Sequence, residues 1–216
     1  MKAVVIPVTP FAQNCSLIWC PTTKAGAVID PGGDLDRVEA EVRKHGVQLE
    51  KILLTHAHID HAGGTAQLAR AHGLSIIGPH RGDKFWIDGI AEQGRMFGFE
   101  GAETFEPTQW LDEGDHVTVG EVTLDVHHCP GHTPGHVVFY SAADQLAFVG
   151  DVLFQGSIGR TDFPGGDYDT LIRAIRERLF PLGDDVRFVP GHGPMSTFGA
   201  ERRTNPFVGD AAVGAR

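Results

Sequence analysis

Short apolar or alternating runs open the chain: Val4 to Val8, Cys15 to Cys20 and Ala25 to Asp30, each bounded by turn residues. Runs of this length predict a strand meander, and Pro31-Gly32-Gly33 turns the chain after it. Leu35, Val38 and Val42 then recur at helical spacing. With Asp34 placed as N-cap and Gly46 as a stop, they predict a helix from about Leu35 to Lys44. Lys51 to Thr55 reads as a buried strand, Thr65 to Ala71 as a helix, and Leu74 to Ile77 as a strand. Lys84 to Phe97 has helical character interrupted at Gly89 and Gly94.

Beyond Asp115 the period returns to two. Val117 to Val119, Val122 to His128, Val137 to Tyr140 and Leu146 to Val149 predict a second sheet. Tyr168 to Leu179 carries Leu171, Ile172, Ile175 and Leu179 on one helical face; Val186 to Val189 is a last strand, and a short helix is expected near Gly199 to Thr204. Strands with helices in both halves suggest two sheets packed face to face and covered by helices. No repeat, low-complexity tract or linker divides the chain, so a single domain over 1–216 is expected.

Composition narrows the function classes. The chain is 41% apolar and 21% charged with 28 glycines, a globular profile rich in tight turns. Its formal charge of −10 speaks against a phosphate-binding surface and hence against nucleic acid as a partner. The opening Met1 to Pro7 is too short for a secretory or membrane-spanning segment, so no membrane partner is expected and the cytoplasm is the default compartment. Cys15, Cys20 and Cys129 lack metal-ligand spacing and read as core thiols.

Chemistry concentrates in Thr55-His56-Ala57-His58-Ile59-Asp60-His61, four metal-competent side chains within six residues after a predicted strand. Residues i and i+2 leaving a strand point the same way, so His56 and His58 can grip one ion, and the following turn frees Asp60 and His61 to face a second. His132, Asp151 and His192 each follow a glycine just beyond a strand-like run. Several strand ends presenting ligands imply one shared sheet edge and a dinuclear site.

This arrangement resembles the metallo-β-lactamase superfamily over almost the whole chain, and the resemblance implies an αββα four-layer sandwich of two mixed sheets flanked by helices. In the superfamily's pattern His56, His58 and His132 would hold the first metal, Asp60, His61 and His192 the second, and Asp151 would bridge them. Bridging Asp151 disfavours the true β-lactamases, and His58 disfavours the flavodiiron proteins. The loop 156–167 and Pro190 to Thr197, with Glu201-Arg202 and Asn205-Pro206-Phe207, resemble the short bacterial type II glyoxalases. That implies a metal-dependent thioester hydrolase of the hydroxyacylglutathione hydrolase type, with two divalent ions, zinc first and iron or manganese as alternatives. The longer type II glyoxalases add a helical domain with basic residues for glutathione; this chain has none, which leaves the identity of its small-molecule thioester open.

In that chemistry a water bridging two metals is hydroxide at neutral pH and attacks the carbonyl. Asp60 offsets metal charge and, by hydrogen bonding to the nucleophile, is a candidate for proton transfer. Two M²⁺ ions, two aspartates and a hydroxide leave such a site with a charge of about +1, so an acidic chain can still take an anionic substrate. Arg160 could bind a substrate carboxylate or pair with Asp162. Asp30 reads slightly better as turn support than as an acceptor behind the metals. His127, His128 and His136 are candidates for hydrogen bonds behind the ligands; His45, His72, His80 and His116 read as ordinary surface residues.

Three rival readings stand beside the hydrolase. A mononuclear iron persulfide dioxygenase would use His56, His132 and Asp151, and resembles this chain in the loop Gly159 to Phe163. Another ester or lactone hydrolase would use the same nucleophile. A non-catalytic metal module ranks last, because structural zinc sites are closed and rich in thiolates.

Overall fold

The computed structural model describes residues 1–213; the last three residues of the expected unit lie outside them. The first half forms β1 (Lys2–Val8), β2 (Gln13–Trp19), β3 (Ala25–Ile29), α1 (Leu35–His45), β4 (Gln48–Leu53), α2 (Ile59–Ala62), α3 (Thr65–His72), β5 (Ser75–Ile77), α4 (Lys84–Asp88) and α5 (Ile90–Phe97). Its five strands lie in sequence order, antiparallel from β1 to β3 and parallel from β3 to β5.

The second half forms β6 (His116–Val119), β7 (Val122–His128), β8 (Val137–Ser141), β9 (Leu146–Gly150), the hairpin β10 (Leu153–Phe154) and β11 (Ser157–Ile158), α6 (Tyr168–Ala174), β12 (Arg187–Pro190), β13 (Ser196–Thr197), α7 (Phe198–Thr204) and α8 (Asp210–Val213). The sheet order is β13-β12-β9-β8-β7-β6, with β12 and β9 parallel and the other pairs antiparallel.

Strand periodicity explains the layering. Along β2 and β3, Cys15, Leu17, Trp19 and Val28 pack toward the helices of the first half, whereas Ile18, Ala27 and Ile29 pack between the sheets. Along β8 and β9, Val138, Tyr140, Ala147 and Val149 face α6 and α7, and Val137, Phe139, Leu146 and Phe148 fill the sandwich. Successive side chains of a strand point to opposite faces, so a strand apolar at every position needs cover on both sides. The result is the four-layer sandwich of two mixed sheets and flanking helices that the resemblance implied.

Local departures have physical reasons. Asp34 does not cap α1; it sits at φ 46°, and its Oδ2 accepts from Thr9 N at 2.8 Å. Thr55 lies beyond β4 because its N donates to Asp30 Oδ1 (2.8 Å) and its carbonyl accepts from Val137 N (2.8 Å), which draws it across to the second sheet. His56 and His58 therefore leave a bend rather than a strand. The Lys84 to Phe97 helix breaks at Gly89 but continues through Gly94, and the Tyr168 helix ends in a wide turn over Ile175–Leu179. The hairpin β10–β11, β13, α2 and α8 have no counterpart in the sequence reading; all are four residues or shorter, too brief for a period to register.

Candidate metal centre

The loops after β4, β7, β9 and β12 meet at one edge of the sandwich, carrying His56 to His61, His132, Asp151 and His192 respectively. Across this edge Asn14 N donates to Gly191 O (2.7 Å), Asn14 Nδ2 donates to Pro190 O (3.0 Å), and Gly191 N donates to Gly150 O (2.7 Å). The start of β2 thus pins the loop that carries His192. Gly191 is required by closeness: a Cβ there would lie 2.0 Å from Asp151 Oδ1 and 2.6 Å from His61 Cε1. Gly32 has the same role beneath the motif, where a Cβ would lie 1.5 Å from the Asp60 carbonyl oxygen.

The side chains gather into two clusters. Donor atoms of His56, His58 and His132 lie within 4.8 Å of one another, as do those of Asp60, His61 and His192. Asp151 stands between them: Oδ1 is 3.3 Å from His61 Nε2, and Oδ2 is 3.6 Å from His132 Nε2 and 3.7 Å from His192 Nε2. Asp60 Oδ2 is 3.1 Å from His192 Nε2 and 3.8 Å from His61 Nε2. All seven side chains singled out in the sequence as ligands are in this one place.

Four of the five rings are held from behind. His132 Nδ1 lies 2.7 Å from the Arg160 carbonyl oxygen, His192 Nδ1 3.1 Å from that of Phe11, and His61 Nδ1 2.9 Å from Asp30 Oδ2. An acceptor at Nδ1 demands a proton there, which leaves a lone pair on Nε2 facing the centre. His56 Nδ1 lies 3.0 Å from Thr55 Oγ1. His58 is turned the other way, with Nδ1 2.9 Å from His132 Nε2. The inward Nε2 atoms of His56 and His61 and Oδ1 of Asp151 are buried without a hydrogen-bond partner.

Several buried donor atoms converging without partners are costly unless a cation satisfies them. The fit to divalent metal is therefore good: nitrogen and carboxylate donors, no thiolate, and two clusters sharing one carboxylate suit zinc, iron or manganese. Burial, together with the neighbouring histidines, keeps His56 well below the usual imidazole range, and burial and the nearby His132 push His58 down to about 3. Burial also lowers His132. These rings stay neutral, as ligands must. Burial is the largest single influence on Asp151 and Asp60 and raises both, but the surrounding histidines together outweigh it (His61, His132 and His192 at Asp151, His61 and His192 at Asp60), so both carboxyls are held below their ordinary value.

A third grouping, Asp30 with His56 and His61, also has converging donors. Asp30 is taken up elsewhere: it accepts from Thr55 N, from Thr55 Oγ1 (2.6 Å) and from His61 Nδ1. It orients His61 from behind, which corrects the turn-support reading. Of the three uncertain histidines, only His136 supports the centre. It is buried, stacks on His56 with ring centroids 4.6 Å apart, and its Nε2 accepts from Asp151 N at 3.0 Å. His127 pairs with Glu113 and His128 with the Pro134 carbonyl. Arg160 forms two bonds to Asp162 (2.9 and 2.8 Å), lies 4.4 Å over the Phe163 ring, and lines the cavity above the centre. The three cysteines are free, buried and outside both clusters.

One supporting residue left no signal in the sequence. Asp83 is fully buried and accepts from Ala57 N (3.0 Å), Thr133 Oγ1 (2.9 Å) and Gly135 N (2.6 Å), bracing the loop of His56 and His58 against the loop of His132. Burial pushes its carboxyl up to about 7 despite these donors.

The fold, the two clusters and the shared aspartate define a metallo-hydrolase, and the chain belongs to the metallo-β-lactamase superfamily, whose model matches residues 8–192. Among its relatives, hydroxyacylglutathione hydrolase GloC of Haemophilus influenzae is 46% identical over 209 residues, 96% of this chain and 98% of that one. A solved di-iron-bound form of TTHA1623 is 37% identical with a TM-score of 0.85, covering 94% of this chain and 99% of that one. The B3 metallo-β-lactamase BLEG-1 is 33% identical with a TM-score of 0.87, covering 96% and 99%. No helix among the described residues is long and apolar enough to cross a membrane.

Proposed function

We propose that the protein is a cytoplasmic thioester hydrolase of the hydroxyacylglutathione hydrolase type, cleaving S-lactoylglutathione to lactate and glutathione with two divalent metal ions. The observation that carries this reading is the placement of Asp151 between two complete donor clusters, in a chain 46% identical to a hydrolase of that name. His56, His58 and His132 would hold one ion, Asp60, His61 and His192 the other, and Asp151 both. When bound, such ions polarise a carbonyl and acidify a shared water to near neutrality. No nucleic-acid or membrane partner belongs to this reading.

The chain's own residues supply the rest. Arg160 O, Phe11 O and Asp30 fix the tautomers that aim Nε2 inward. Trp86 and Phe163, with ring centroids 4.5 and 5.0 Å from that of His58, keep water from one side. Asp60 Oδ2 can take and pass the proton of the nucleophile. A mononuclear dioxygenase using His56, His132 and Asp151 would leave Asp60, His61 and His192 assembled without a task.

The test is metal content by elemental analysis on protein purified without added metal, with S-lactoylglutathione hydrolysis followed in the same samples. About two ions per chain with thioester turnover is expected. One iron per chain, with oxygen uptake on glutathione persulfide and no thioester cleavage, overturns the proposal.

A further inference from the structure

The cavity over the metal centre has a volume of about 740 Å³ and is lined, beyond the proposed ligands, mainly by apolar side chains. Trp86 and Phe163 form a wall beside His58. Phe154, 6.3 Å from the His192 ring, and Phe11, 6.2 Å from the Phe97 ring, stand on the side of His192. At the mouth, Met96 is 70% exposed, Phe97 52% and Phe11 47%, a concentration of large apolar groups in water around one opening. Such a patch marks a binding surface rather than ordinary exposure.

Beyond the proposed ligands, charge on the lining is sparse. Its one cation is Arg160, whose guanidinium is already bonded twice to Asp162. A glutathionyl group carries two carboxylates and an ammonium, which lose hydration against such walls without gaining partners. Beyond its carbonyl a lactoyl group carries only a hydroxyl and one methyl, too small to fill the aromatic walls.

We infer that the acyl end of the substrate is bulky and apolar, an aryl-substituted 2-hydroxyacyl thioester being the class that fits, with its ring between the Trp86–Phe163 and Phe11–Phe97–Phe154 walls. The inference rests on the thioesterase reading above. The aromatic walls take the ring, the carbonyl lies over the metal centre, and the charged thiol moiety stays at the mouth in water. Hydrolysis breaks the acyl–sulfur bond; water's oxygen joins the acyl carbon to give the carboxylate, and its protons are shared between the departing sulfur and solvent.

The experiment compares kcat/KM for S-mandeloylglutathione and S-lactoylglutathione on the metal-loaded enzyme, in wild type and in Phe97→Ala and Trp86→Ala. The aryl substrate is expected to be preferred by about tenfold or more, the range an apolar pocket achieves per added apolar group. That ratio should fall toward one in both variants and hold in Phe207→Ala, whose exposed ring is outside the cavity. Equal or better use of the lactoyl thioester by wild type overturns the inference and leaves the hydrolase standing. So does an aryl preference that survives both wall substitutions. Hydrolysis of neither thioester by protein holding two metals overturns both.

Discussion

Asp30 Oδ2 lies 2.9 Å from His61 Nδ1, with both side chains buried and the same carboxylate accepting the Thr55 hydroxyl at 2.6 Å. A carboxylate behind a ligating imidazole fixes its tautomer and raises its basicity. Asp30→Ala is expected to weaken binding at the His61 cluster by about 10- to 100-fold, read by competition with a chromogenic chelator. Unchanged affinity for both ions would show that Asp30 serves only the turn before Pro31.

Asp83 couples the centre to pH without touching it. Its carboxyl titrates near 7 in the fold and near 4 in an unfolded chain. Between those values the folded state holds the extra proton, so stability falls as pH rises and levels off above about 7. The stability of metal-free wild type relative to Asp83→Asn should therefore drop between about pH 4 and pH 7, measured by urea unfolding. A pH-independent difference would sink this account. Asp83→Ala strands two backbone N–H groups and a hydroxyl, and should cost about 3 kcal/mol or more.

The layering and the gathering of the candidate ligands were legible in the sequence because strand alternation and the clustered motif are short-range patterns. Leu17 and Ile18 point to opposite covered faces because a strand alternates, and His56 to His61 are neighbours in the chain. The supports were not legible, since Asp30 reaches His61 across 31 positions and Asp83 reaches Gly135 across 52. Nothing local distinguishes a brace from a turn residue. His136 was a candidate only through its place beside His132, and the cavity's aromatic lining is drawn from Phe11 to Phe163, a set that only folding assembles.

Asp60 separates ligation from proton transfer. Its Oδ2 faces His192 Nε2 at 3.1 Å, and in Asp60→Asn the amide oxygen can keep that place while losing basicity. At saturating metal the variant is expected to hold both ions and lose about 10²- to 10⁴-fold in kcat. If the second ion leaves together with the activity, Asp60 is a ligand alone.

Gly191 tests whether the two clusters act as one site. A methyl at this position would meet Asp151 Oδ1 at 2.0 Å and the His61 ring at 2.6 Å, and neither is a flexible tip in open space. The shared carboxylate must therefore swing out of the gap between His61 and His132. Since Gly191 lies beyond the last sandwich-filling residue of β12, Val189, the core itself is unaffected. Gly191→Ala is thus expected to keep a cooperative unfolding transition in the metal-free state while binding fewer than two ions and losing thioester turnover. Full loading with full activity would mean that Asp151 need not stand between the clusters, and that each can work without the other.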